Sequence, residues 1–174
     1  MTTAADMKLL EAPQLGEHVW HAFAYDHTLG EVSDRHAEAI ASAIHKYRLQ
    51  AETPRLRILE VGAYRHHAGY KLADSIGAEV VLSDIAARAL EDGCKVAREA
   101  GLSASPTLVA ADFHDLPFVD GYFDLVFVAS SVHHTRRPEV MLDELFRVTR
   151  PGGLVYIFNE PCERLFCFYQ FRSN

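Results

Sequence analysis

Five short apolar runs recur in the second and third quarters of the chain and beyond, at residues 56–61, 79–83, 106–111, 123–128 and 154–158. Helical periodicity fills three of the gaps between them, over residues 69–76, 86–100 and 138–148. Leu56, Ile58, Leu59 and Val61 are apolar at neighbouring positions, as a strand buried on both faces requires. Strands alternating with helices at this spacing fold as right-handed crossovers onto a parallel sheet. Ligands of such sheets bind at the carboxyl ends of the strands, where the strand order switches. Glu60, Gly62, Asp84, Asp112, Ala129 and Ser130 all fall at those ends. That convergence makes them the candidate site.

The turn after the first run carries the densest signal. Gly62 permits a sharp turn and a close ligand approach. About two dozen residues beyond Glu60 the second run ends in Asp84, roughly where a nucleoside-binding unit places the carboxylate that grips ribose hydroxyls. A helix cap is the competing reading of Asp84, because acids also cap helices that follow strands. Tyr64 and His66 stand where a dinucleotide turn needs its second and third glycines. A nicotinamide dehydrogenase is therefore disfavoured.

Upstream, Ser33 is read as the N-cap of a helix over residues 34–49, with Ala37, Ile40, Ala41, Ile44 and Tyr47 on its buried face. His18, His21 and His27 invite a metal reading, but no convincing third-ligand spacing or cysteine pair supports one, so no metal is expected. Cys94, Cys162 and Cys167 are too scattered for a disulfide framework and point to a reducing, cytoplasmic setting. The net charge of −7 argues against a nucleic-acid or anionic-membrane partner. No run approaches the ~20 apolar residues of a membrane span.

The block from about Arg57 to Glu160 resembles the class I S-adenosylmethionine-dependent methyltransferases, in particular the type 11 methyltransferase domain. Leu59-Glu60-Val61-Gly62 is similar to the family's first motif, and Ser83-Asp84-Ile85 to the end of its second strand. Ala111-Asp112-Phe113, Asp115-Leu116-Pro117-Phe118 and 120–126 follow in order, then Val132-His133-His134, Leu145-Phe146-Arg147-Val148 and 150–154. The resemblance implies an α/β, Rossmann-like doubly wound sheet in the order 3-2-1-4-5. It also implies S-adenosyl-L-methionine as cofactor, a small-molecule acceptor and methyl transfer by in-line displacement. Glu60, Gly62, Ala63 and Tyr64 would pass the methionine part. Asp84 would bind the ribose hydroxyls, Ile85 would pack on the adenine, and Asp112 would accept from its amino group with Phe113 beside it. Ala129 and Ser130 would line the cofactor. A base is needed only if the acceptor must lose a proton, and His133 and His134 at the crevice mouth are the candidates.

Two departures from the family pattern set expectations of their own. Tyr64 and His66 replace small residues, so the turn could be reshaped or blocked, and a catalytically inactive binding or regulatory module is the alternative function. The family's usual C-terminal antiparallel strands are expected to be missing. The chain divides on this reading into a helical N-terminal cover (1–53), a cofactor-binding core (54–161) and an aromatic tail (162–174). The tail is read as the start of a further C-terminal part or as a homodimer contact, and without it the fifth strand keeps an open edge.

Overall fold

A computed structural model describes residues 29–160 and 169–172. The readings of His18, His21 and His27, and of Cys162 and Cys167, lie outside the described residues. The first described element is helix α1 (Leu29–Lys46). Strand β1 (Arg57–Val61), helix α2 (Ala68–Ile76), strand β2 (Glu79–Asp84), helix α3 (Ala87–Glu99) and strand β3 (Thr107–Ala110) follow. Then come strand β4 (Phe123–Ala129), a single 3₁₀ turn (Val132–His134), helix α4 (Pro138–Val148), strand β5 (Thr149–Phe158) and strand β6 (Tyr169–Arg172). They form one sheet in the order β3-β2-β1-β4-β5-β6. The first five strands are parallel and in the expected order 3-2-1-4-5.

Strand alternation divides the core into two layers. Ile58, Val80, Leu82, Leu125 and Phe127 face Ile40 and Ala43 of α1, Tyr70 and Leu72 of α2, and Leu90 and Ala97 of α3. Leu59, Val61, Val126, Val128 and Ile157 point to the opposite face, where Met141, Leu145 and Val148 of α4 cover them. Every residue of β4 is buried, as a central parallel strand covered on both faces must be.

Three expectations need correction. Ser33 is not a cap. It lies inside α1 and is fully buried, and its Oγ accepts the His67 N–H at 3.2 Å. The buried line of α1 accordingly runs through Ser33, His36, Ile40 and Ala43, while Ala37, Ile44 and Tyr47 pack at its margin. The fifth strand is longer than the apolar run at 154–158: it begins at Thr149, and residues 150–153 bulge within it. Phe123 pairs with Thr149 and Leu125 with Leu154, and the chain between them loops out with Gly152 at φ +76°. Finally, one antiparallel strand is present: β6 pairs with β5 from Leu154↔Arg172 to Ile157↔Tyr169, so the edge expected to stay open is covered along those residues.

Candidate active site

The carboxyl ends of β1, β2, β3, β4 and β5 meet in one crevice. Their backbone is unusual there: among the described residues four non-glycine residues have positive φ, and three of these (Tyr64, Ser130 and Asn159) follow β1, β4 and β5. Conformations of this kind persist where surrounding contacts enforce them, and they cluster at functional sites.

After β1 the chain bends at Gly62, whose φ is +72°, and the Gly62 and Ala63 N–H groups donate to the Ser83 carbonyl at 2.8 and 3.0 Å. A side chain at Gly62 would collide with Ser131, whose Oγ donates to the carbonyls of Gly62 and Ala129. Only glycine lets the β1 turn and the β4 end approach this closely. Glu60 lies beneath the turn rather than in the open crevice. It is buried, and its Oε2 accepts the Gly69 N–H at 3.0 Å at the start of α2. Burial pushes its carboxyl up to about 8, against the pull of that N–H and with help from the nearby Asp84 charge.

Asp84 closes β2. Its Oδ2 accepts the Tyr64 N–H at 2.9 Å and its Oδ1 the Ala86 N–H at 2.8 Å. Asp84 does not cap α3, whose N-cap is Ala86 with no side-chain bond; the bond to Ala86 and the bond across to the β1 turn instead fix the carboxylate at the crevice. Burial raises its pKa, opposed by the Ala86 and Tyr64 N–H groups and by His134. Ile85 beside it is 42% exposed, an apolar face open at the strand end. Tyr64 is 38% exposed.

At the end of β3, Asp112 folds back on its own loop. Its Oδ1 takes the backbone N–H of His114 at 2.9 Å and contacts His114 Nδ1 at 2.8 Å, while His114 Nε2 reaches Thr135 Oγ1 at 2.6 Å. Both Asp112 bonds fall on the same oxygen. Phe113 packs edge-on against the His114 ring, with centroids 4.6 Å apart.

At the end of β4, Ala129 is buried, while Ser130 Oγ donates to the Asn159 carbonyl at 2.9 Å and takes a bond from Asn159 Nδ2 at 2.6 Å. The 3₁₀ turn beyond it is held by Glu160, which sequence reasoning did not place in the site. Glu160 Oε1 accepts the Ser131 and Val132 N–H groups at 2.7 and 2.9 Å, and Oε2 accepts the His133 N–H at 3.2 Å. Oε2 also lies 2.9 Å from His133 Nδ1. The His133 and His134 rings lie with centroids 4.0 Å apart. Burial and the neighbouring His133 lower the pKa of His134, against Glu160 and Asp84. The available signal for Glu160 was its place: an acid just past a strand's carboxyl end, like Asp84 and Asp112.

The methyltransferase domain family matches residues 59–157, more than half of the chain. Over 90 residues the chain is 38% identical to the ubiquinone/menaquinone biosynthesis C-methyltransferase UbiE of Stutzerimonas stutzeri, which covers 51% of this chain and 35% of that protein. It is 30% identical over 128 residues to the mitochondrial 2-methoxy-6-polyprenyl-1,4-benzoquinol methylase of Danio rerio, covering 71% of this chain and 38% of the relative. The match thus spans little more than a third of either relative's length. Among solved structures, an S-adenosyl-L-methionine-dependent methyltransferase candidate from Methanococcus maripaludis superposes with a TM-score of 0.64 at 20% identity, over 77% of this chain and 58% of that one. At that identity the likeness concerns the fold.

Proposed function

This chain belongs to the methyltransferase domain family, whose class I members take their methyl group from S-adenosyl-L-methionine, and from that premise we propose that it transfers a methyl group to a small, hydroxylated ring. The observation that carries the reading is the Asp84 carboxylate. Two backbone N–H groups from separate segments hold it in place beside the exposed Ile85. A carboxylate has about four lone-pair sites, so two remain for a pair of vicinal hydroxyls. The residues present fit a nucleoside: Asp84 would hold the ribose, Ile85 and Phe113 would flank the base, and Asp112 would accept from its amino group through the oxygen that His114 leaves open. Gly62, Ala63, Tyr64, Ala129 and Ser130 form the remaining wall.

When bound, the cofactor supplies an electrophilic methyl group on a sulfonium, which the acceptor takes by in-line displacement. The chain's own contribution is to hold the acceptor at attacking distance, exclude water and remove a proton where the acceptor carries one. His133 suits the last task. Its Nδ1 faces the Glu160 carboxylate at 2.9 Å, which holds the ring proton on Nδ1 and leaves the Nε2 lone pair as the base. The Glu160 bonds to the 3₁₀ turn fix that ring's position. The benzoquinol in the name of one relative, and the ubiquinone and menaquinone biosynthesis in the name of the other, support an acceptor with ring hydroxyls.

Titration calorimetry with S-adenosylmethionine and S-adenosylhomocysteine tests this reading. We expect binding by the wild type and at least a roughly tenfold weaker constant for Asp84→Ala, the effect of about 1.4 kcal/mol in lost hydrogen bonding. Absence of binding by the wild type would favour the non-catalytic module instead.

A further inference from the structure

His114, in the turn after β3, links two segments that the sheet keeps apart. Strands β2 and β1 lie between β3 and β4, yet a line of hydrogen bonds runs from Asp112, at the end of β3, to the chain just past the 3₁₀ turn that follows β4. The Arg137 N–H donates to Thr135 Oγ1 at 2.9 Å, Thr135 Oγ1 lies 2.6 Å from His114 Nε2, and His114 Nδ1 lies 2.8 Å from Asp112 Oδ1. A carboxylate only accepts, so the ring proton sits on Nδ1, Nε2 becomes the acceptor, and the Thr135 hydroxyl donates to it. The bonds therefore all run in one direction, and both imidazole nitrogens are used. The same ring packs edge-on against Phe113, with centroids 4.6 Å apart. His114 thus touches both Asp112 and Phe113, which would meet the adenine, and the residue that follows His133 and His134 in the 3₁₀ turn.

We propose that His114 is a positioning residue: it holds Asp112 with Oδ2 left for the adenine amino group, and it ties that hold to the segment carrying His133. This inference rests on the methyl-transfer reading and adds to it a coupling between the cofactor and the proton acceptor. The Asp112 side chain is 44% exposed, and among the described residues its bonds are to the His114 backbone N–H and ring, both on Oδ1. An exposed carboxylate without such a hold samples several rotamers and loses that freedom when it binds; the ring removes the cost in advance. At the other end of the line, the Thr135 N–H donates to the Val132 carbonyl at 3.1 Å and closes the 3₁₀ turn, whose first N–H groups Glu160 holds. Displacing that turn pulls Thr135 away from Nε2, and releasing Asp112 frees the turn. Coupling of this kind is reciprocal: a nucleoside on Asp112 steadies the His133 segment as much as the segment steadies the nucleoside. A merely structural staple would hold the two segments together equally, whatever occupied the crevice.

The test compares S-adenosylhomocysteine with S-inosylhomocysteine, in which a ring oxygen replaces the adenine amino group. Both are titrated into wild type, His114→Leu, His114→Asn and Thr135→Val, and hydrogen exchange over residues 131–137 is followed with and without S-adenosylhomocysteine. Wild type should prefer the adenine compound at least about tenfold, and binding it should slow exchange over 131–137 about threefold or more. The preference is a ratio within each variant, so a change in stability or in overall affinity cancels. His114→Leu should lower it to about threefold or less and abolish the slowing. His114→Asn places an Nδ2–H where Nδ1–H stood but does not reach Thr135, so it should recover most of the preference without the slowing. Thr135→Val leaves the Asp112 bonds and cuts the next one, so it should behave like His114→Asn, and it decides the matter if His114→Leu does not fold. A wild-type preference in His114→Leu would overturn the proposal, as would undiminished slowing in Thr135→Val. Equal binding of the two compounds by wild type would also overturn it while leaving the cofactor site in place. A wild type that binds neither would remove the methyl-transfer reading itself.

Discussion

Two carboxylates are buried to the same degree at opposite ends of the sheet, and they are treated in opposite ways. Asp124, at the amino end of β4, is 0% exposed and doubly held: Oδ2 accepts the Arg57 N–H at 2.8 Å and Oδ1 takes Arg150 Nε at 2.6 Å. Arg150 continues to the Gln50 carbonyl and to Glu52, tying the linker before β1 to the bulge in β5. Glu60, at the carboxyl end of β1, is 2% exposed and, among the described residues, receives one backbone N–H and no cation. The amino end neutralises its buried charge with a partner. The carboxyl end instead keeps its acid protonated, with titration near 8. Three of the four described non-glycine residues with positive φ lie at that carboxyl end, a backbone state that clusters at functional sites.

Breaking the amino end should have the largest effect. Asp124→Ala removes the buried counter-charge of Arg150 and the acceptor for the Arg57 N–H, and such losses typically cost ~3–5 kcal/mol. Urea unfolding of the variant should show a midpoint lowered accordingly with an unchanged slope. A cost below about 1 kcal/mol would mean that the Arg150 network is a surface-like pairing despite its burial.

At the carboxyl end the effect is smaller and depends on pH. The unfolded chain ionises Glu60 near 4.5, whereas the folded protein keeps the proton until about 8. Between those values the native state binds more protons than the unfolded one, so this group makes stability fall as pH rises, by up to about 1.4 kcal/mol per unit. Glu60→Gln keeps an acceptor for the Gly69 N–H but cannot ionise. The variant should match the wild type at pH 5 and become progressively more stable than it toward pH 8. Parallel curves for the two proteins across this range would show that Glu60 is ionised in the native state.

The same contrast marks what the sequence could disclose. The strands, the crossovers and the acids Asp84 and Asp112 were legible because periodicity and strand-end position are local signals, while the strand order came with the family resemblance. His36 was not, since a histidine on an apolar helical face looks like a break in the stripe until Phe158 is seen against it. Ser33 looked like a cap because its partner, the His67 N–H, lies 34 residues away. Glu160 meets the 3₁₀ turn across 27 to 29 residues, and the Arg150 bulge joins segments up to 100 residues apart. The short tail concealed β6 because four residues carry little pattern without the strand they pair with. Local chemistry announced the elements, and distant pairings decided which polar residues were buried.

Tyr64 offers the finest test of the carboxyl end. It stands where the family pattern has a small residue, and its φ of +48° costs a residue with a side chain roughly 1–2 kcal/mol. Its contribution to the site is the backbone N–H on Asp84 Oδ2, which glycine would supply equally well. Glycine relieves the left-handed strain but enlarges the entropy of the unfolded chain by a comparable amount, roughly 0.5–1 kcal/mol. Tyr64→Gly should therefore leave stability within about 1 kcal/mol of wild type and S-adenosylhomocysteine affinity within about threefold. A large gain in affinity would show that the ring obstructs the cofactor, and a large loss that the ring packs on it. Either result would move Tyr64 from a backbone support to a side-chain determinant of the site.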